Sequence, residues 1–189
     1  MSRRPIRRTL SVPGPTAHTF VNRSDAAVSP SYTRDHPLVV ERGEGVWVID
    51  IDGNEFLDMS AGIATTSTGH AHPRIVAAIA EQAAKLIHMS GTDFYYPVQG
   101  RLADRLVKMQ PVAGDSCRVY FGNSGAEANE AAMKLARYYT RRPYYVAFLD
   151  CFHGRTMGAL SLTASKPQQR RRFAPLMPGV THVRYPDAY

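Results

Sequence analysis

A chain of 189 residues with 44% hydrophobic content is long enough to bury a core, and no apolar stretch in it approaches the roughly 20 residues a membrane-crossing helix needs. The formal charge of +7 raises nucleic acid as a partner, but the excess sits at Arg3–Arg8 and Arg170–Arg172, separated and without interleaved aromatics or a binding motif. A solvated face or anionic small ligands account for it more simply than a basic nucleic-acid-binding module, so neither nucleic acid nor membrane is expected as a partner. The two cysteines, Cys117 and Cys151, each lie in an apolar run, which suits reduced thiols in a cytoplasmic protein better than a disulfide framework.

Met1 to about Pro30 is rich in Arg, Ser and Pro and shows no period, so it reads as a loose arm. No apolar run follows its arginines to make a secretory signal, although an organelle transit segment tolerates such a composition. From Leu38 the pattern turns to strand, with short β-type runs near Leu38–Arg42, Val46–Asp50 and Glu55–Asp58. Gly43–Gly45 and Asp52–Gly53 punctuate them, and an Asp-Gly pair between apolar alternations signals a hairpin. These runs predict a small antiparallel meander.

The stretch "SAGIATTSTGHAHP" carries neither helical nor strand period and reads as a loop entering a helix. Pro73 suits a first helical turn, with Ile75, Ala78, Ile79, Ala83 and Ile87 marking one face. A second helix is expected from Pro97 to Met109. Next come a strand over Arg118–Phe121, a helix over Ser124–Arg141 and a strand over Tyr144–Leu149. A helix from Thr156 and a strand near Val180–Arg184 complete the order. Alternating strands and helices predict a parallel α/β sheet. The chain stops at "VRYPDAY", just after a strand, which reads as an unfinished domain.

Chemistry concentrates at two strand ends. In "YFGNSGAEANEAAMKLARYY" the chain leaves an apolar run through Gly122, Asn123, Ser124 and Gly125 and enters an amphipathic helix. A helix start at Ser124, Gly125 and Ala126 offers unpaired amides, a glycine permits close approach and Ser124 adds a hydroxyl, a combination suited to phosphate. An ordinary capped helix, with Ser124 as N-cap and Glu127 closing a capping box, explains the same residues, and both readings hold together. Neither a Walker loop nor a dinucleotide fingerprint is present. The second constellation, "DCFHGRTMGALSLTASK", leaves the strand ending at Leu149 at the edge where open α/β sheets place ligands. It offers flat rings at Phe152 and His153, a turn at Gly154 and a carboxylate receptor at Arg155. His70 and His72 in "GHAHP" lack a third ligand at suitable spacing, so no metal site is expected.

These two stretches, with "GVWVIDIDGNEFLDMSAGIATTSTGHAHP" upstream, resemble the class III (ω-amino-acid type) aminotransferases of pyridoxal-phosphate fold type I, over roughly residues 35 to 189. The resemblance implies an incomplete α/β fold. Residues 1–65 would be an arm and meander belonging to a small domain, and 66–189 the first part of a large, mostly parallel-sheet cofactor domain. It implies pyridoxal 5′-phosphate held by Ser124, Gly125 and Ala126, with Phe152 stacking on the pyridine ring and His153 shaping that face. Arg155 would grip a substrate carboxylate, and an aromatic among Phe94, Tyr95 and Tyr96, of which Tyr95 is preferred, would line the substrate entrance.

The implied reaction transfers an amino group from a 4-aminobutyrate-, ornithine- or acetylornithine-type donor to a 2-oxo acid, in a cytoplasmic enzyme that is a homodimer at full length. The aminomutases and racemases of the same fold are the alternative, and "HGRT" favours the aminotransferases. The family also needs a Schiff-base lysine and an acid at the pyridinium nitrogen. In the family both lie on later strands, and none of Lys85, Lys108, Lys134 and Lys166 matches that lysine. No catalytic residue is therefore expected within this chain, which is expected to be inactive alone.

Overall fold

The computed structural model describes residues 11–111 and 117–187. The described residues fall into two compact units, divided between Phe94 and Tyr95.

In the first unit a meander of β1 (Val40–Glu44), β2 (Trp47–Asp50) and β3 (Glu55–Leu57) is antiparallel throughout, in the order β1-β2-β3. The expected Asp-Gly turn closes β2 onto β3, with Trp47 opposite Leu57 and Ile49 opposite Glu55. Buried Asp50 organises that turn. Its Oδ1 accepts from the Asn54 amide at 2.7 Å, and its Oδ2 accepts from Asn54 Nδ2 at 2.9 Å. Gly53 takes φ +86°, a left-handed backbone that glycine adopts without steric penalty.

The loose arm expected at the N-terminus is corrected over its described part. Residues Pro15–Ala27 form a helix, α1. Composition hides it because its start is capped from elsewhere: the Thr16 and Ala17 amides donate to Asp52 Oδ1 and Oδ2, both at 2.9 Å. Residues 1–10 of that arm lie outside the described residues.

The loop after the meander is refined. Over α2 (Ala61–Ala64) the backbone turns left-handed, with φ of 48°, 62°, 59° and 60° in order. For residues with a Cβ this costs about 1–2 kcal/mol each. Asp58 stabilises it, its Oδ1 accepting from the Ser60 and Ala61 amides at 2.9 Å. Helix α3 (Pro73–Lys85) follows as expected, except that Ile87 lies beyond its end.

The second unit opens with α4 (Pro97–Met109), as expected. Residues 118–121 carry no strand, which corrects the expectation there. A β-type sequence becomes a strand only when a neighbour completes its hydrogen-bond ladder, and Tyr120 instead stands 74% exposed. Helix α5 (Gly125–Thr140), strand β4 (Tyr145–Phe148), helices α6 (Met157–Leu162) and α7 (Pro167–Arg170), and strand β5 (Val180–Val183) complete the unit. Strands β4 and β5 pair in parallel, Tyr145 with Val180 through to Phe148 with Val183. The core is Met133 of α5, Ala147 of β4 and Leu162 of α6, with Tyr145, Met177 and Val180 packed around it. Arg137 clips α5 to the segments that enter β4 and β5: its guanidinium donates to the Pro143 and Pro178 carbonyls and lies over the Tyr145 ring.

Candidate functional site

The start of α5 is a capped helix end that still has donors to offer. Ser124 is extended, at φ −156° and ψ 162°, and its Oγ accepts from the Glu127 amide at 3.2 Å. Glu127 does not return to the cap residue's own amide, as a capping box would. Its Oε2 accepts instead from the amide and side-chain nitrogen of Asn123, at 2.6 and 3.0 Å. The carboxylate thereby turns back toward Gly122 and Asn123, ahead of the cap residue. Among the described residues nothing accepts from the Gly125 or Ala126 amides. A Cβ built at Gly125 would meet no atom within 4 Å, so the space in front of this turn is open.

The loop after β4 is pressed against the same turn. Gly154 is buried at φ +138°. A Cβ there would lie 2.7 Å from the Ala126 Cβ and 2.9 Å from the Ala159 Cβ. Only glycine fits that gap, and its fit brings residues 152–155 beside the Ser124–Ala126 turn. Phe152 is 53% exposed although it is a large aromatic, His153 is half-buried, and Arg155 is exposed with no ion-pair partner among the described residues. The fold thus brings together Ser124, Gly125, Ala126, Phe152, His153 and Arg155. Tyr95, just before α4, is fully exposed and makes no hydrogen bond or ring contact among the described residues.

Sequence reasoning missed the residues that hold the loop. Asn129 Nδ2 donates to the His153 carbonyl at 2.6 Å. Thr163 Oγ1 accepts from the His153 amide at 3.0 Å and lies 3.0 Å from the Gly154 carbonyl and 3.1 Å from that of Ala159, to either of which it donates. Glu130 Oε1 accepts from Thr156 Oγ1 at 2.6 Å and from the Gly158 and Ala159 amides at 3.0 and 3.1 Å. The Thr156 hydroxyl and these amides outweigh partial burial and hold the Glu130 carboxyl below its ordinary range. One signal was available. Asn129 and Glu130 fall on the helical face of Ala126, Met133 and Arg137, so polar groups point where the core lies.

A second polar cluster lies in the first unit. His70 Nε2 and Asp58 Oδ2 are 2.7 Å apart, and the His70 backbone exchanges both hydrogen bonds with Gly45. The His70 hydrogen bond, joined by the Ser60 and Ala61 amides, lowers the Asp58 carboxyl to about 2. This pair ties the left-handed turn to the meander.

Known proteins match across almost the same span. A family model described as aminotransferase class-III covers residues 28–189. Isoleucine 2-epimerase of Lentilactobacillus buchneri is 40% identical over 153 residues, 80% of this chain and 34% of that protein. Acetylornithine aminotransferase of Bifidobacterium longum is 47% identical over 161 residues, 79% of this chain and 37% of that protein. Among solved structures, ornithine aminotransferase of Toxoplasma gondii superposes with a TM-score of 0.80 at 30% identity, covering 90% of this chain and 40% of that one. The chain spans well under half the length of these relatives.

Proposed function

The chain belongs to the class III aminotransferases, and we propose that it forms the N-terminal part of an enzyme that moves an amino group from an ω- or α-amino acid, of 4-aminobutyrate, ornithine or acetylornithine type, to a 2-oxo acid. Its fold is that of the fold type I transferases and its cofactor is pyridoxal 5′-phosphate. The observation that carries the residue assignment is the Gly154 wedge, which sets an exposed aromatic and a free arginine beside a helix start with unaccepted amides.

In this reading the Gly125 and Ala126 amides and the Ser124 hydroxyl bind the phosphate. Each charge-assisted hydrogen bond contributes about 1.5–3 kcal/mol and the helix dipole about 0.3–1 kcal/mol, so the directed donors dominate. The open space at Gly125 fits such a group. Phe152 supplies a flat face for the pyridine ring, worth about 0.5–1.5 kcal/mol beyond burial, with His153 shaping the same side. Arg155 orients the substrate carboxylate through two parallel donors, and Tyr95 lines the entrance. When bound, pyridoxal phosphate supplies an aldehyde and an electron-withdrawing ring that stabilises negative charge at the substrate carbon.

The amine that moves protons is not assigned within these residues. Lys85 pairs with Glu81 on α3, Lys108 lies in the last turn of α4, and Lys166 precedes α7. Lys134 lies nine residues along α5 from Gly125, about 13 Å of helix rise. We assign that amine to sequence outside this chain, which by itself would be inactive. The whole protein would be a cytoplasmic homodimer, with residues 1–65 in its small domain and 66–189 opening its large one.

The test is whether turnover of amino donor by the whole protein requires a 2-oxo acid. A strict requirement is expected. The epimerase relative favours a second reading, an isomerase of the same fold. Donor inverted or rearranged without any acceptor would establish that reading instead. Arg155→Ala is expected to raise KM for carboxylate substrates by about tenfold to a hundredfold. Phe152→Ala should chiefly weaken cofactor retention, and kinetics with the two effects exchanged would overturn both assignments.

A further inference from the structure

Between the phosphate turn and the arginine loop runs a set of hydrogen bonds that touches neither proposed ligand. Asn129 and Glu130 are consecutive on α5, the helix whose first turn carries Gly125 and Ala126. Asn129 reaches the His153 carbonyl, Glu130 the start of α6 just past Arg155, and Thr163, fully buried behind the loop, the His153 amide. The loop is thereby fastened on either side of Gly154 to one rigid helix.

We propose that Asn129, Glu130 and Thr163 are positioning residues that fix Phe152 and Arg155 relative to the helix start at Gly125, an inference that rests on the site assignment above.

Three features support more than a general role in folding. The Glu130 contacts converge on one oxygen, which receives two amides and a hydroxyl in the four residues after Arg155. Gly158 leaves the carboxylate its place, since a Cβ there would overlap Glu130 Oε2. Thr163 satisfies the amide of one loop residue and faces the carbonyl of the next, Gly154, so its hydroxyl defines where the peptide between Phe152 and Arg155 lies. Hydrogen bonds to the backbone fix where that peptide lies, and a stacked ring or a bidentate arginine has to be held to within about 0.5 Å.

The consequence is separable from folding. Thr163→Val keeps shape while leaving the His153 amide without its acceptor, and Thr163→Ser restores the hydroxyl. In the whole protein, with cofactor bound, Thr163→Val is expected to reduce the visible circular dichroism per bound cofactor by roughly twofold or more, because that band reports a ring held in one chiral orientation. It should also raise KM for the carboxylate substrate about tenfold while kcat changes less, and Thr163→Ser should return both toward the parent values. Asn129→Ala, at a less buried position, should give the same pair of changes, and covers the case in which Thr163→Val does not fold.

A parent-like dichroism per bound cofactor and parent-like KM in whichever of Thr163→Val and Asn129→Ala folds would overturn the inference and reduce these residues to packing. The site assignment itself fails on a different result: Gly125→Val retaining cofactor at unchanged affinity. The two failures are therefore distinguishable.

Discussion

Both units of the chain start a helix on a carboxylate taken from a distant element, and in both a glycine leaves room for it. In the first unit Asp52, on the β2–β3 turn, accepts from the Thr16 and Ala17 amides, and a Cβ at Gly14 would lie 2.5 Å from its Cγ. In the second, Glu130 of α5 accepts at the start of α6, with Gly158 in the same part. Burial pushes the Asp52 carboxyl up, but its Ala17 and Thr16 donors together outweigh it, and both Asp52 and Glu130 are held below their ordinary range. The difference lies in how well each capped helix is packed. Ala17 is the buried residue of α1, whereas Ala159, Leu160, Ser161 and Leu162 of α6 are all buried. Packing already secures α6, so its cap decides where the preceding loop sits. Little packing secures α1, so its cap decides whether there is a helix.

The largest effect is expected at Gly158→Ala. The new methyl displaces the Glu130 carboxylate from its donors or forces the backbone aside, and overpacking alone costs about 1–3 kcal/mol. Urea unfolding of the whole protein should show that loss, and Glu130→Gln, which keeps an acceptor oxygen, a smaller one. Equal losses would mean that charge, not space, governs this cap.

Asp52→Ala should act on α1 rather than on the unit around it. Far-ultraviolet circular dichroism is expected to lose about one short helix, while unfolding of the meander, followed through its single tryptophan, Trp47, stays near the parent midpoint. An unchanged helical signal would show that α1 stands without the cap and would break the comparison.

The smallest effect is set by pH. The folded Asp58 carboxyl is lowered from 3.8 to about 2, so the stability it contributes is complete above the unfolded value and is lost as pH falls through the folded one. Between pH about 4 and about 2 the Asp58–His70 tie should loosen and the Trp47-detected midpoint fall. Asp58→Asn should flatten that dependence, and a slope surviving the substitution would assign it to other carboxyls.

How much of the molecule was legible in advance depends on the range over which each determinant acts. The meander, α3, α4 and α5 were visible because apolar period, proline at a helix start and the Asp-Gly turn act within a few residues. The residues brought to the candidate site were visible for the same reason, since both motifs are contiguous. Helix α1 was not, because its cap comes from Asp52, 35 residues away from Ala17. The strand expected at Arg118–Phe121 failed because a ladder needs a partner that local sequence does not contain. Glu130 and Asn129 looked like ordinary polar residues of a helix until Gly154 and Gly158 brought another element against them. The left-handed turn at Ala61–Ala64 is the clearest case. Alanine and isoleucine avoid that conformation locally; Asp58 holds the start of the turn by accepting from the Ser60 and Ala61 amides, and His70, 12 residues on, fixes the Asp58 carboxylate. The sequence by itself determined the meander, α3, α4 and α5 and singled out two stretches as candidates for the chemistry, because those are short-range preferences. Only the tertiary structure decided how the loop and the helix start meet, because contacts between residues far apart in the chain exist once the intervening chain has been ordered.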